Sequence, residues 1–380
     1  MKIVKRKKIG ILFSHNENWI GGTYYLLNLI SSFNALDDKE KPQVIILSKN
    51  RRDFDIAKTT NYPYLNYSNF VIPYNFFQRI VFRFFPAYSK RTFKTYFSPK
   101  QFDTVFPYTY IEELKNIPHK IYWYPDFQDY YFPDFFTTKE LDSLKKMQDN
   151  VAKSKSVLVL SSDSALKDFV KFHAKYTCMP KVVNFAVTHP VYDHLNIDEL
   201  KLKFEINKEY FISPNQFWQH KNHMTILKAI KLLKERQKEV LVVFTGKEYD
   251  YRNPDYTGDL KRFVLENDLT SNILFLGFID RAEQLQLMKH AKAIIQPSLF
   301  EGWSTVVEDA KAMDQFVIAS DIPVHKDQLK KNALFFSPKN EAELADRILE
   351  VNKSNVTKTT NNYSFNVKTF AQSFLCAIKK

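Results

Sequence analysis

Short apolar segments alternate along the 380-residue chain with segments whose apolar residues recur at helical spacing, and this alternation occurs in two successive series. Of all features of the sequence, it restricts the possible folds most. Strands that alternate with helices pair in parallel, and the helices then cover both faces of the sheet. One hydrophobic core rarely serves more than about 250–300 residues, so the two series indicate two domains. We therefore predict an α/β protein with two Rossmann-like domains, each built on a parallel sheet.

The periodicity predicts the individual elements of both series. In the first half, strands are expected at 8–13, 44–47, 120–124 and 157–160, with a helix at 23–33. In the second half, strands are expected at 209–213, 240–245, 273–276, 293–296 and 316–319, and helices at 223–236, 282–290 and 306–313. We expect an N-terminal domain over 1–190, a C-terminal domain over 191–355, and a terminal helix within 356–380.

Composition narrows the class of protein. The chain is 44% hydrophobic and 26% charged, which is ordinary for a globular protein. It contains no apolar run of about 18 residues, so no transmembrane helix is expected. The basic N-terminus is followed by an apolar run at 9–13 that is too short for an export signal. Cys178 and Cys376 lie far apart, which argues against disulfides and zinc and fits the cytoplasm.

The net charge of +13 is concentrated near the N-terminus. Residues 1–100 hold 17 Lys and Arg against 6 Asp and Glu, and residues 76–100 contain no acid. Basic residues interleaved with Phe and Tyr suit an anionic membrane surface, single-stranded nucleic acid, or a solvated face above core aromatics. No nucleic-acid motif accompanies them, so we expect peripheral membrane contact through four basic side chains: Arg79, Arg83, Arg91 and Lys94.

The segment 297–313, PSLFEGWSTVVEDAKAM, follows a predicted strand and carries the chemistry. Glu301 and Gly302 lie just beyond the carboxyl end of this strand, at the edge of the sheet. Gly302 has no side chain and so permits close approach of a ligand. Thr305 and Glu308 have the spacing of a capping box that begins a helix. The N–H groups at a helix start bind phosphate readily, and a carboxylate beside them can accept hydrogen bonds from sugar hydroxyls.

Two neighbouring acids follow on this helix. At about 100° per residue, Asp309 borders the apolar stripe, whereas Glu308 points to the opposite side. Asp309 is therefore better placed to hold the two ribose hydroxyls of a nucleotide. The alternative interpretation is that both are surface acids on an ordinary helix.

These residues resemble the signature of the retaining GT-B-fold glycosyltransferases of family 4, in which two acids stand eight positions apart. Here those acids are Glu301 and Asp309, with Asp in place of the usual Glu. The resemblance implies a GT-B architecture whose parallel sheets face a central cleft. It also implies that Glu301 contacts the donor sugar, that Asp309 contacts the ribose, and that the backbone of Ser304, Thr305 and Val306 contacts the diphosphate, beside Gly302.

Other segments resemble further parts of the family pattern. Lys221 matches the Lys of its diphosphate element, although Gln216 replaces the Arg. Gly277 and Phe278 resemble the loop around the nucleotide base. The turn Gly21-Gly22-Thr23 resembles the first glycine-rich turn beside donor phosphates and acceptor. Asp126 follows a strand where family members carry a His or Asp that contacts a sugar, and its alternative interpretation is an Asp that fixes a proline turn.

We therefore expect a retaining glycosyltransferase with Asp126, Lys221 and Glu301 as catalytic residues. It would use a nucleotide-diphosphate sugar, require neither cofactor nor metal, and not bind nucleic acid. The acceptor would be a saccharide, lipid-linked or part of a surface polysaccharide of the lipopolysaccharide, O-antigen or capsule type, at the inner face of the plasma membrane. The alternatives are a catalytically silent sugar-nucleotide-binding subunit, which Gln216 and Asp309 favour, and a GT-B-fold epimerase or hydrolase.

Overall fold

The computed structural model describes residues 5–16, 19–69, 102–109, 114, 116–353, 357–360 and 362–379. The chain forms two compact units. The first comprises Met1–Pro125, Lys146–Ala186 and Ser364–Lys380, and the second comprises Asp126–Lys145 and Val187–Tyr363. Residues 126–145 thus pack with the second unit, although they lie within the range 1–190 that the sequence assigns to the first domain. The last stretch of the chain packs with the first unit.

Strands and helices alternate through both units. The strands are β1 (Lys8–Leu12), β2 (Gln43–Ser48), β3 (Leu65–Asn69), β4 (Thr104–Phe106), β5 (Ile121–Tyr124), β6 (Val157–Leu160), β7 (Met179–Val182), β8 (Tyr210–Ser213), β9 (Leu241–Phe244), β10 (Ile273–Phe275), β11 (Ile294–Gln296), β12 (Val317–Ser320) and β13 (Ala333–Phe336). The helices are α1 (Ile20–Ser32), α2 (Arg51–Lys58), α3 (Gln128–Tyr131), α4 (Thr138–Ala152), α5 (Asp163–Phe172), α6 (Ile197–Lys203), α7 (His223–Glu235), α8 (Tyr256–Glu266), α9 (Arg281–His290), α10 (Thr305–Ala312), α11 (Pro323–Gln328), α12 (Glu341–Lys353) and α13 (Tyr363–Ala377).

The first unit contains two parallel sheets, in the orders β3-β2-β1-β4 and β5-β6-β7. A parallel bridge between Val105 and Lys120 joins β4 to the start of β5. The strands are buried apolar runs, as in Ile9, Ile11 and Val44, because helices cover a parallel sheet on both faces.

The second unit contains one parallel sheet in the order β10-β9-β8-β11-β12-β13. This is the Rossmann order, in which successive strands run outward from β8 and the chain then returns to add β11 on its other side. The reversal creates a topological switch point between β8 and β11, and ligands bind beyond the carboxyl ends of the strands at such a point.

Alternate residues of the central strands enter separate cores on the two faces of this sheet. Tyr210 and Ile212 of β8 pack in one cluster with Val243, whereas Phe211 packs in the other with Val242. Successive side chains of a strand point to opposite faces, so both faces are filled by the same apolar run. This double burial fixes the register of β8 and with it the position of the residues that follow the strand.

The structure confirms the predicted α/β class and the predicted strands, and it adds four strands that the pattern did not predict. The added strands are β3, β4, β7 and β13. β4 is only three residues long, and β7 contains Pro180, which an edge strand tolerates because it needs hydrogen bonds on one side only. Short or proline-containing segments carry too little periodicity to be recognised.

The basic aromatic segment expected to contact a membrane lies outside the described residues, including Arg79, Arg83, Arg91 and Lys94. Within the described part of the chain, no helix is long and apolar enough to cross a membrane.

A substitution at Gly246, just beyond the carboxyl end of β9, tests how closely the backbone segments after β8 and β9 pack. Its φ is +143°, and a Cβ atom there would lie 2.1 Å from the carbonyl oxygen of Asn215. We expect Gly246→Ala to lower the free energy of unfolding by more than about 2 kcal/mol, because both the backbone conformation and the contact become unfavourable.

Gly258 in α8 is the matched control, since a Cβ atom there meets nothing within 4 Å. Gly258→Ala should raise the free energy of unfolding by up to about 1 kcal/mol, because Ala favours a helix interior. Urea unfolding of both variants checks the pair, and equal effects would contradict the described backbone at Gly246.

Candidate functional site

Polar side chains bridge the switch point of the second sheet. Asn215, just after β8, donates from its side-chain amide to Oε1 of Gln296 at the end of β11, at 2.9 Å. Both residues are buried. A buried amide pair of this kind holds the carboxyl ends of the two strands in one arrangement, which is the position where a Rossmann sheet binds ligands.

A short turn after β8 positions Lys221. Residues Gln219–Lys221 form one 3₁₀ turn, and Asn222 follows in the left-handed conformation with φ 59°. Asn tolerates this conformation better than most residues, and the Asn222 side-chain amide donates to the carbonyl oxygens of Pro297 and Pro338. The turn therefore anchors Lys221 against the loop after β11, where its Nζ lies 2.6 Å from Oε1 of Glu301.

Three donors converge on one oxygen of Glu301. Besides Lys221, the Ser298 hydroxyl at 2.7 Å and the Gln296 amide at 2.9 Å donate to Oε1. No described residue donates to Oε2. Burial opposes ionisation, but the Lys221 ammonium and the donated hydrogen bonds outweigh it and hold the pKa of Glu301 below its usual value. Glu301 is thus a fixed carboxylate with one oxygen left for another group.

The start of α10 differs from the predicted capping box. Ser304, not Thr305, is the N-cap, and its hydroxyl accepts from the backbone N–H of Val307. The backbone N–H of Ser304 donates to Gln328, so this group is occupied. The N–H groups of Thr305 and Val306 have no acceptor among the described residues, as expected in a first helical turn. Buried Gly302 lies two residues before the cap.

Glu308 is buried and has no capping role, so the prediction for it was wrong. Its Oε1 accepts from Lys311 at 2.8 Å and from Gln328 at 3.0 Å, and its Oε2 accepts from the Tyr363 hydroxyl at 2.6 Å. Because Ser304 caps the helix, Glu308 stands one position too late to reach back to the N-cap. Both of its oxygens are satisfied within the protein.

Asp309, one residue later, has the opposite arrangement. Its Oδ1 accepts from Nε2 of His189 at 3.0 Å and from the Arg281 guanidinium at 2.5 Å. Its Oδ2 is buried without a hydrogen-bond partner in the described part of the chain. Burial opposes ionisation, and the charges and hydrogen bonds of Arg281 and His189 outweigh it, so the pKa of Asp309 lies below its usual value.

Asp126 belongs to the same unit and lies within electrostatic reach of the ion pair between Lys221 and Glu301. Its Oδ1 accepts from the backbone N–H of Gln128 at 3.0 Å, the turn contact that the alternative interpretation predicts. Burial raises the pKa of Asp126 to about 6; the Gln128 hydrogen bond and the charge of Lys221 counteract the rise, whereas the charge of Glu301 adds to it. The structure therefore brings Asp126, Lys221 and Glu301 together in one charged cluster.

The other predicted donor residues of the second unit lie at the neighbouring strand ends. Gln216 follows β8 and is partly buried. Gly277, after β10, has φ +66°, and its carbonyl oxygen accepts from the N–H of Gly246 at 2.8 Å. Phe278 is 63% exposed, which leaves its ring free of the two cores. These positions surround the carboxyl ends of β8, β9 and β10.

The predicted glycine-rich turn belongs to the first unit. Gly21, Gly22 and Thr23 lie inside the first turns of α1, not in a loop before it. A Cβ atom on Gly22 would lie 2.7 Å from the Trp19 ring, so the glycine gives room for the indole. The Trp19 ring in turn stacks on Trp123, with centroids 5.6 Å apart. The backbone contact expected at these glycines stays a prediction.

Several residues that complete the site were not predicted. Gln296 ends an apolar strand, so the signal for it was a polar residue directly before Pro297-Ser298. Arg281, His189 and Gln328 come from distant parts of the sequence, and no local pattern distinguishes them. Among the described residues, no group of three or more His, Cys, Asp or Glu side chains is arranged to hold a metal ion.

Comparison with known proteins assigns the part of the chain that contains most of these residues. The model of the family described as "Glycosyl transferases group 1" matches residues 196–369. This segment resembles the group 1 glycosyl transferases. Within it lie Lys221, Glu301 and Asp309, whereas Asp126 and the glycines of α1 lie outside.

Individual relatives and solved structures are also similar to this chain. The O-antigen chain mannosyltransferase RfbU of Salmonella typhimurium is 27% identical over 243 residues, or 63% of this chain and 62% of its own length. The match thus covers less than two thirds of that relative. Anabaena Alr3699/HepE with UDP-glucose aligns with TM-score 0.64 at 13% identity, over 98% of this chain and 94% of its own. WaaG, a glycosyltransferase involved in lipopolysaccharide biosynthesis, aligns with TM-score 0.59 at 10% identity, over 97% and 98%. The predicted GT-B fold class is confirmed.

The raised pKa of Asp126 predicts a pH-dependent stability difference. The ordinary Asp pKa is about 3.9, so between pH 4 and 6 the folded protein keeps a proton that the unfolded chain has released. Ionisation therefore destabilises the fold as the pH rises through this window. Asp126→Asn removes that effect and keeps an oxygen for Gln128.

We expect the free energy of unfolding of Asp126→Asn, relative to the wild type, to increase by about 1–2 kcal/mol from pH 4 to pH 7. Urea unfolding at pH 4, 5.5 and 7 measures the difference. Asp134→Asn, which changes an exposed carboxylate of the same segment, is the control and should show no such trend. A pH-independent difference for Asp126→Asn would show that the pKa of this carboxyl is not raised in the folded protein.

Proposed function

We propose that the protein transfers a sugar from a nucleotide-diphosphate donor to a hydroxyl group of an acceptor, and that the site of the second unit binds the donor. The family of residues 196–369 and the GT-B fold support this activity. The proposal extends the family assignment to a reaction and to named residues.

The proposal depends on one feature that Glu301 and Asp309 share. In Glu301 and in Asp309, protein donors fix one carboxylate oxygen, while the other has no described donor. A carboxylate held ionised with an open oxygen is prepared to accept hydrogen bonds from hydroxyl groups. We assign the donor sugar to Oε2 of Glu301 and the ribose hydroxyls to Oδ2 of Asp309.

The diphosphate would lie between these acids, at the start of α10. The open N–H groups of Thr305 and Val306 point toward the N-terminal end of the helix, where the dipole favours an anion. Lys221 adds a point charge that can move from Glu301 to a phosphate oxygen. These groups meet the charge that develops on the departing diphosphate, and we propose that no metal is required.

Asp126 would act on the sugar side of the site. With its pKa near 6 it is mostly ionised at neutral pH, and it lies within electrostatic reach of Glu301 and Lys221. A carboxylate there can accept a hydroxyl hydrogen bond or stabilise positive charge on the sugar ring in the transition state.

The acceptor that we propose is a saccharide of a surface polysaccharide, lipid-linked or growing. The name of RfbU, an O-antigen chain mannosyltransferase, and the description of WaaG as a lipopolysaccharide enzyme support this class. We propose transfer with retention of the anomeric configuration, in line with the resemblance of the signature segment. Proton NMR of the product's anomeric signal distinguishes retention from inversion.

Binding measurements on Asp309 and Glu301 test the donor site. A thermal-shift screen of UDP-, GDP-, ADP- and TDP-sugars first identifies the donor, because a ligand that binds the folded state stabilises it. Asp309→Asn should then weaken calorimetric binding of the corresponding free nucleoside diphosphate by about tenfold to a hundredfold, the effect of losing hydrogen bonds to a charged acceptor. Glu301→Gln should abolish transfer but leave binding of the free diphosphate unweakened.

The matched control is Glu308→Gln, one residue away on the same helix. Because both Glu308 oxygens are satisfied within the protein, this variant should lower the melting temperature without changing diphosphate affinity more than about twofold. Equal loss of affinity in Asp309→Asn and Glu308→Gln would reject the assignment of the ribose to Asp309. Full transfer activity in Glu301→Gln would reject its role toward the sugar.

The proposal includes peripheral contact with the inner face of an anionic plasma membrane through the segment 76–100. The quadruple variant Arg79→Gln, Arg83→Gln, Arg91→Gln, Lys94→Gln should lose more than about tenfold in partition onto phosphatidylserine vesicles, measured by co-sedimentation. A charge-matched variant with Gln at four exposed lysines, Lys326, Lys330, Lys331 and Lys339, is the control. Equal partition of the two variants would reject this surface.

A further inference from the structure

His325 is a buried histidine of α11 that none of the assignments above uses. It follows β12, whose carboxyl end lies beside that of β11 in the sheet. Its side chain is 0% exposed. Both Glu301 and Lys221 influence the titration of its ring, so the imidazole lies within electrostatic reach of that ion pair.

The hydrogen bonds of His325 fix its tautomer. Nδ1 lies 3.0 Å from the backbone carbonyl oxygen of Ser320, which can only accept, so Nδ1 carries the proton. Burial lowers the pKa of His325 to about 4, so the ring is neutral at physiological pH. Nε2 therefore presents a lone pair. It is buried and receives no hydrogen bond from the described residues.

A short chain of hydrogen bonds joins this ring to the carboxylate of Glu301. The Ser320 hydroxyl, 3.1 Å from Nδ1, donates to the carbonyl oxygen of Ser298 at 2.6 Å. The Ser298 hydroxyl donates in turn to Oε1 of Glu301 at 2.7 Å. The ring of His325 and the carboxylate of Glu301 thus belong to one polar cluster at the ends of β11 and β12. The chain runs through Nδ1 and Oε1, so Nε2 and Oε2 are the atoms of the two groups that it leaves without a donor among the described residues.

We propose that Nε2 of His325 accepts a hydrogen bond from a hydroxyl group of the donor sugar and so makes His325 a specificity-determining residue. The inference rests on the proposed function, because it assigns a second contact within the same donor site. Most buried polar side-chain atoms in proteins have a hydrogen-bond partner. A buried acceptor without a donor among the described residues, within electrostatic reach of Glu301, is therefore a position at which a ligand group can bind.

The chemistry of the neighbouring groups selects a sugar hydroxyl as that donor. Phosphate and carboxylate oxygens accept hydrogen bonds only, so neither the diphosphate nor Glu301 can satisfy Nε2. The Lys221 ammonium is directed to Glu301. A pyranose has several hydroxyl groups on one ring, and two of them can donate to Oε2 of Glu301 and to Nε2 of His325. The cluster therefore favours a hexose with free hydroxyls over a deoxy sugar.

Two substitutions separate the two ring nitrogens. Asn at position 325 has its amide near the position of Nδ1 and retains a donor for Ser320, but it has no atom at Nε2. Gln places its amide near Nε2 and restores the acceptor, but it lacks the Nδ1 contact. The probes are UDP-glucose, UDP, GDP-mannose and GDP, measured by isothermal titration calorimetry on the full chain. The pair that binds the wild type is carried forward.

We expect His325→Asn to bind the free nucleoside diphosphate within about twofold of the wild type and to bind its sugar conjugate about fivefold to tenfold more weakly, the equivalent of one hydrogen bond. His325→Gln should recover most of that loss. The loss caused by His325→Asn should also disappear when the conjugate lacks the one hydroxyl that bonds to Nε2, which a series of single deoxy-sugar analogues identifies.

Three results would overturn the inference. The first is that His325→Asn binds the sugar conjugate as tightly as the wild type, which shows that Nδ1 alone matters and that the residue only supports Ser320. The second is an equal loss of affinity for the diphosphate and the conjugate, which indicates general distortion and is identified by melting temperatures without ligand. The third is a loss that persists for every deoxy analogue. If the wild type binds none of the four probes and no ADP- or TDP-sugar of the thermal-shift screen, the proposed donor site itself fails, and this outcome is distinct because it is seen before any substitution.

Discussion

The buried side chain of Gln296 is the contact on which the arrangement of the site depends. Its Oε1 accepts from Asn215 across the switch point, and its Nε2 lies within hydrogen-bond distance of Ser298, Glu301 and Ser304. One amide thus connects the end of β8, the carboxylate of Glu301 after β11 and the N-cap of α10. Because the residue is 0% exposed, water does not compete for Oε1 or for the two N–H donors of this amide.

Hydrogen bonds to buried groups also explain why Glu308 and Asp309, which are next to each other in sequence, differ in role. Glu308 has three protein donors on two oxygens, so it joins α10 to Gln328 and Tyr363. Asp309 has both of its donors on one oxygen. A buried carboxylate must be compensated in either case, but only the second arrangement leaves an acceptor for a ligand. The number of donors on each oxygen, not the burial of the residue, separates structural from ligand-directed acids here.

The sequence predicted what depends on local pattern. Five of the six strands of the second sheet and the helix after Ser304 follow from periodicity, and the roles proposed for Glu301 and Asp309 follow from a short signature. The capping box was wrong because Ser304 and Thr305 are both good N-caps, and the sequence does not say which one begins the helix. The partners of Asp309 could not be predicted, since His189 and Arg281 lie 120 and 28 residues away in the sequence and only the tertiary fold brings them to it.

The charges of the site indicate how binding of the diphosphate is coupled to sugar recognition in the proposed mechanism. Gln216 replaces a cation of the family pattern, so Lys221 and the open N–H groups of α10 are the groups proposed to meet the diphosphate. Lys221 is paired with Glu301, and an ammonium drawn toward a phosphate must weaken that pair. The carboxylate of Glu301 would then need a replacement donor in a nearly buried position. A sugar hydroxyl that donates to Oε2 would compensate the carboxylate when Lys221 turns to the phosphate, so we expect the diphosphate and the sugar to bind cooperatively.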